Sequence, residues 1–266
     1  MDFLAFNAYH RPALERDEAR HTLILALMER AANGDLLGPT RAWSFGAPGS
    51  CAIQTPGRLI ILGAPDRAAC EQLAEEVAGT RFHGVTGNDE RSFWFADRAK
   101  ALGAHFGEAE PQEILAIAEA PAYPGAPGEA APVTSENADL FAEWFEAFRI
   151  EAVPRDPPAT RALSDRMAGS GDYLFWMADG RPVSLAGIVR RTRNAAAIAI
   201  VYTPPELRGR GYAGSVTAAV VEKIYAEDRR IACLYVDLRN PAATRCYAKI
   251  GFKPVCENWV IRQAAE

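Results

Sequence analysis

Eight of the eighteen prolines fall between Pro111 and Pro158, and the densest stretch reads PAYPGAPGEAAP from Pro121 to Pro132. Proline and glycine at that density remove backbone donors and interrupt both helical and strand periodicity. The run therefore divides the chain, and the reading that follows is an accessory unit over 1–110, a strand and Pro/Gly-rich connection over 111–135, and a second domain over 136–266. A length of 266 residues suits one large domain or two compact ones. A hydrophobic fraction of 49% with 24% charged residues supports a buried core and excludes disordered, collagen-like and coiled-coil chains. The net charge of -5 excludes nucleic-acid binding by bulk electrostatics. Five widely spaced cysteines contain no CxxC pair, which argues against a disulfide framework and a zinc site, so no metal is expected. Met1 to Arg11 lacks a basic-then-apolar leader, and no window reaches 18 apolar residues. The expectation is a cytoplasmic protein without a membrane partner; no residue pattern specifies an oligomeric state.

In the first part, Glu15–Ala32 carries Ala19, Leu23, Leu27 and Ala31 at helical spacing and stops at Asn33-Gly34. Short strands are predicted near Trp43–Phe45, Cys51–Gln54 and Leu59–Leu62, then helices from Pro65 to Val77 and from Asp89 to Leu102. All four histidines (His10, His21, His83, His105) lie here, with His83 most readily a structural or surface residue. Gln112–Glu119 reads as a short strand or a helical turn of the unit that follows.

The second part reads as one α/β (α+β) unit. Asn137–Arg149 is helical, and Tyr173–Met177, Val183–Arg190 and Ala195–Thr203 are strands joined by tight turns, which favours antiparallel pairing. A helix over Tyr212–Tyr225, a strand over Ile231–Val236 and a helix over Pro241–Ile250 follow. Two closing strands, Phe252–Cys256 and Trp259–Arg262, are expected to complete the unit.

The segment most suggestive of chemistry is Arg208-Gly209-Arg210-Gly211-Tyr212-Ala213-Gly214, between a strand and an amphipathic helix. Glycines at a helix start admit close backbone approach, and first-turn amides without helical acceptors point outward at an anion. Arg208 and Arg210 add charge, so diphosphate binding is one reading; a plain turn before an ordinary helix is another. The literal GxGxxG string also fits dinucleotide folds, but five residues from Pro204 to Arg208 separate it from its strand.

With two further stretches, this loop resembles the GNAT superfamily of N-acetyltransferases, in the branch of glycine N-acyltransferase-like proteins. The resemblance rests on VYTPP before RGRGYA, then Leu234–Ala243 (LYVDLRNPAA), then Cys246–Phe252 (CYAKIGF). Arg208, Gly211 and Ala213 fill the family's acyl-CoA loop, while Asn240, Ala243, Tyr247 and Gly251-Phe252 fill its later pattern. The resemblance implies a mixed, strongly twisted sheet, with the preceding smaller unit a possible degenerate copy of the same fold. It implies acetyl-CoA or coenzyme A as ligand, with the diphosphate at the amides of Gly209, Gly211, Ala213 and Gly214, beside Tyr212. The pantetheine arm would lie along Val201, Tyr202 and Thr203 where that strand splays from Ile231–Val236.

Asn240 reads as an N-cap before Pro241 or as a ligand of the pantetheine arm; the two roles are compatible. Tyr247 reads either as a core tyrosine or as the acid that meets the departing thiolate, since a phenol stays protonated at neutral pH. For the base, Glu143, Glu146, Glu151 and Asp237 are the carboxylate candidates, beside a water chain or an amine that arrives neutral. Arg190, Arg191 and Arg193 read as a solvated turn or an anion patch, and Cys233 and Cys246 as spectators. The expected activity is transfer of an acetyl or short acyl group from acyl-CoA to a primary amine of a small molecule or amino acid. A non-catalytic acyl-CoA sensor and a protein N-acetyltransferase are the alternatives.

Overall fold

The computed structural model describes residues 2–36 and 38–264. In chain order the elements are α1 (Phe3–Leu14), α2 (Glu18–Ala32), β1 (Arg41–Ser44), β2 (Cys51–Gln54), β3 (Ile60–Leu62), α3 (Arg67–Val77), β4 (Gly84–Asn88), α4 (Arg91–Ala101) and β5 (Glu110–Ile117). There follow β6 (Glu129–Pro132), α5 (Ala138–Ala152), α6 (Arg161–Ala168), β7 (Tyr173–Ala178), β8 (Arg181–Arg191) and β9 (Ala195–Tyr202). The chain closes with α7 (Tyr212–Ala226), β10 (Ile231–Asp237), α8 (Pro241–Ile250) and β11 (Lys253–Arg262). They gather into two compact units: one from the residues up to Leu115 with Tyr235–Asn240 and the chain from Pro254 onward, the other from Ala116–Leu234 and Pro241–Lys253.

In the first unit the sheet runs β1-β2-β3-β4-β11-β5. Its strands alternate between two cores, as the two-residue period of a strand requires. Ile60 and Leu62 pack with Leu73, Val77 and Phe95 beneath α3 and α4. Ile61, between them, packs with Phe6, Leu25 and Met28 beneath α1 and α2. Helices on both faces explain why β2, β3 and β4 are buried throughout.

Three expectations are corrected here. The helix expected from Glu15 starts at Glu18, because Asp17 caps it by accepting from the Arg20 amide at 3.2 Å. Of the two readings of Gln112–Glu119 the strand holds: Gln112–Ile117 lies in β5, with Ala118 and Glu119 beyond its end. The stretch 111–135 also contains β6, which pairs antiparallel with β7 from Glu129↔Met177 to Pro132↔Leu174. The two closing strands are one, β11, and it pairs antiparallel with β4 from Asn258↔Asn88 to Arg262↔Gly84, inside the first unit. Asn258 Nδ2 donates to Gln112 at 2.8 Å and to Thr86 at 3.2 Å, satisfying the polar groups which that pairing buries.

The second unit orders its strands β6-β7-β8-β9-β10. β7, β8 and β9 form the expected antiparallel meander. Asp179 and Gly180, at φ of 49° and 72°, supply the two left-handed residues that a tight hairpin needs. From β9 the chain crosses through α7 to β10, which lies parallel to β9. α5 and α6 cover this sheet with Phe141 and Trp144 against Tyr173, Phe175 and Leu185. An ion-pair cluster ties the β8 end to the α7 end: Arg191 meets Asp172 at 2.5 Å and Glu227 at 2.8 Å, and Arg229 meets Glu227 at 3.0 Å. Arg191 is thus neither a solvated turn residue nor an anion receptor. No described helix is long and apolar enough to cross a membrane.

Candidate active site

β9 is irregular where it matters. Leu185 faces Tyr202 and Gly187 faces Ala199, so β9 takes one residue more than β8 over that interval. The extra residue falls at Ile200, whose φ of 57° is left-handed. For a β-branched residue this is strained backbone, and a bulge bends the strand that carries it. Parallel pairing with β10 runs from Ile231↔Ala195 to Cys233↔Ala197, while β9 continues to Tyr202. Val201 and Tyr202 are half-buried. Thr203 is buried, with its hydroxyl 2.8 Å from that of Ser184, which also donates to the Tyr202 carbonyl at 3.0 Å.

Beyond Pro204 a single 3-10 turn, Pro205–Leu207, leads to the glycine loop. Arg208, Gly209 and Arg210 are exposed. Arg208 braces the loop to the strand: its Nε donates to the Thr203 carbonyl at 2.9 Å, its Nη2 meets Glu151 at 2.6 Å, and it lies 6.0 Å from the Tyr202 ring centre. Gly209 and Gly211 have φ of 79° and 86°, conformations that an L side chain rarely adopts. Gly211 is the N-cap of α7 and brings no side-chain cap. The amides of Tyr212, Ala213 and Gly214 occupy the first turn, where no helical acceptor exists. With the helix dipole behind them, they form a place for an anion.

Gly214 has a different reason to be glycine. It is buried, and a Cβ there would meet the ring of Tyr123. Tyr123 comes from the Pro/Gly-rich run and donates to the Gly211 carbonyl at 3.2 Å. The Ala126 amide donates to Ser215 Oγ at 2.7 Å. Sequence reasoning missed both Tyr123 and Ser215, since proline density reads only as an absence of regular structure.

α8 packs against α7. Its Tyr247 is buried, edge-on to Phe252 at 5.9 Å between ring centres. Burial pushes its phenol well above the ordinary tyrosine range, with the neighbouring Cys246 acting the same way. Its hydroxyl has no hydrogen-bond partner among the described residues. Ala243 is half-buried on the same helix. Asn240 is exposed immediately before α8, its amide donating to the Asp237 carbonyl at 2.9 Å.

Ion pairs narrow the choice of base. Glu146 is forked onto Arg149 at 2.7 and 2.8 Å, and that hydrogen bonding holds its carboxyl below the usual range. Asp237 is forked onto Arg239, Nη2 at 2.7 Å, and is lowered for the same reason. Glu151 holds Arg208. Glu143 is exposed on α5. Cys233 is buried, and burial raises the thiol of Cys246, which is therefore no activated thiolate.

A family model described as FR47-like protein matches residues 177–260. No curated protein matches the sequence. Among solved structures, a Drosophila protein covers 99% of this chain and 97% of its own length at 13% identity, with a TM-score of 0.69. A GCN5-related N-acetyltransferase from Kribbella flavida covers 94% and 96% respectively, at 17% identity and a TM-score of 0.58. A tandem GNAT protein from the clavulanic acid biosynthesis pathway covers 90% and 86%, at 15% identity and a TM-score of 0.53. The chain has the fold of the GNAT N-acetyltransferase superfamily, with an FR47-like segment over residues 177–260.

Proposed function

We propose that this protein is an N-acyltransferase that moves an acetyl or short acyl group from acyl-CoA to the primary amine of a small molecule or amino acid. The observation that carries the reading is the left-handed cap at Gly211, which opens the first-turn amides of α7 next to a bulged strand whose parallel pairing ends at Ala197. The amides would hold the diphosphate. Backbone groups of Val201 to Thr203 would align the pantetheine arm as an extra strand does. The glycine N-acyltransferase-like branch is supported by the Asn240, Ala243, Tyr247 and Gly251-Phe252 spacing. The first unit, in this reading, is a degenerate copy of the fold, as in a tandem arrangement.

In the reaction a neutral amine attacks the thioester carbonyl carbon, a tetrahedral intermediate forms, and its collapse breaks the C–S bond. The departing sulfur takes a proton from the Tyr247 hydroxyl. Burial keeps that phenol protonated at neutral pH, as an acid requires. Glu146 and Asp237 are held as carboxylates by their arginines and make poor bases, so the amine proton leaves through Glu143 or a water.

The test is release of free thiol from acetyl-CoA with a panel of small amines. Acceptor-dependent release is expected. Tight CoA binding with no release across the panel would make the protein a sensor instead.

A further inference from the structure

The Pro/Gly-rich segment does more than connect. It crosses the first turn of α7, and three donors converge on one carbonyl there: Gly211 O accepts from the Ser215 amide at 3.1 Å, from Ser215 Oγ at 3.3 Å and from Tyr123 Oη at 3.2 Å. Only the first is the ordinary helical bond. The other two come from a hydroxyl whose oxygen also accepts from the Ala126 amide at 2.7 Å, and from the segment's own tyrosine. The Ala122 amide anchors the same stretch to the Ile250 carbonyl at 3.2 Å.

A trans peptide is planar, and its C=O and N–H point in opposite directions. Pinning the Gly211 carbonyl toward Tyr123 and Ser215 therefore aims the Tyr212 N–H the other way, outward from the helix start. Gly211 needs such a restraint, because glycine is the residue freest to leave its left-handed conformation. The Tyr123 ring is seated in the space left by the missing Cβ of Gly214, so its hydroxyl cannot wander.

We propose that Tyr123 is a positioning residue for the acyl-CoA diphosphate, acting through the Gly211–Tyr212 peptide, with Ser215 as its second prop. This rests on the acyl-CoA reading above and adds to it a residue from outside the glycine loop. It also accounts for Gly214, which makes room for Tyr123 and need not touch the ligand through a bare Cα.

The experiment is calorimetric titration of the full chain with CoA, with pantetheine measured by competition, in Tyr123→Phe and Ser215→Ala. Phenylalanine keeps the ring in its seat and removes only the donor. Loss of one neutral hydrogen bond predicts a Kd for CoA raised about three- to tenfold, with pantetheine affinity and Tm unchanged. Ser215→Ala should act alike, and it carries the test should Tyr123→Phe fold poorly. Unchanged CoA affinity in both variants overturns the proposal, as does equal weakening of CoA and pantetheine. A wild-type protein with no affinity for CoA removes the acyl-CoA reading itself, a result distinct from either.

Discussion

At the scale of single residues, a tyrosine and a histidine show how burial sets chemistry. Tyr247 has a phenol held protonated by desolvation and a hydroxyl that no described neighbour occupies. Tyr247→Phe should lower kcat about 100-fold, the ordinary contribution of a general acid, with the Kd for CoA unchanged; steady-state kinetics beside a binding titration would show it, and an unaltered kcat would return Tyr247 to the core. His21 has an unpartnered, buried Nδ1, and burial lowers its pKa from 6.5 to about 4. Between those values the unfolded chain binds a proton that the folded chain does not, so stability falls as the medium becomes more acid. The histidine should cost the first unit about 2 kcal/mol on going from pH 7 to pH 5. Urea unfolding of His21→Leu should lose that part of the acid dependence, and a variant with the wild-type slope would contradict it. The glycine turn at the start of α7 was legible in the sequence because its pattern is local. Tyr123 was not, since its contact with Gly211 joins positions 88 apart in the chain.

At the scale of elements, periodicity located most of the helices and strands and failed where pattern and punctuation conflict. α1 was missed because Pro12 sits inside it, breaking the pattern a helix is read from. α6 is eight residues long, and β4, Gly-Val-Thr-Gly-Asn, carries two glycines in five positions. β4 forms nonetheless because β3 and β11 flank it, a tertiary gain that local propensity cannot register. Gly87 of that strand is packed tightly on Leu62. The same kind of fit holds β7 to β8, where Tyr173 lies across Gly187 directly opposite. Gly187→Ala would drive a methyl into that buried ring, and overpacking of this sort should destabilise the protein by about 1–3 kcal/mol. Chemical denaturation would measure it, and a midpoint like that of the wild type would mean the meander is looser than described. The bulge at Ile200 was invisible beforehand, because nothing in Ala-Ile-Ala-Ile-Val marks which residue turns left-handed.

For the whole molecule, the chain's order and its packing diverge. The proline run is a visible boundary in the sequence, yet Tyr235–Asn240 and the chain from Pro254 onward gather with the first unit. Pairing partners far apart in sequence leave no local trace, which is why β11 was expected to finish the second unit and instead pairs with β4. The proposed ligand is a polyanion, and the protein carries a net charge of -5. Attraction must therefore come from oriented amides at one turn and not from the overall field. That turn depends on a φ of 86° at Gly211, closed to a β-branched side chain. The most direct measurement is calorimetric titration of CoA into the wild-type protein and Gly211→Val, with circular dichroism to establish that both are folded. Saturable binding by the wild type and a loss of about 100-fold or more in the folded variant are expected, since the turn and its amides go together. Equal binding by the two proteins, or none by the wild type, would contradict the account.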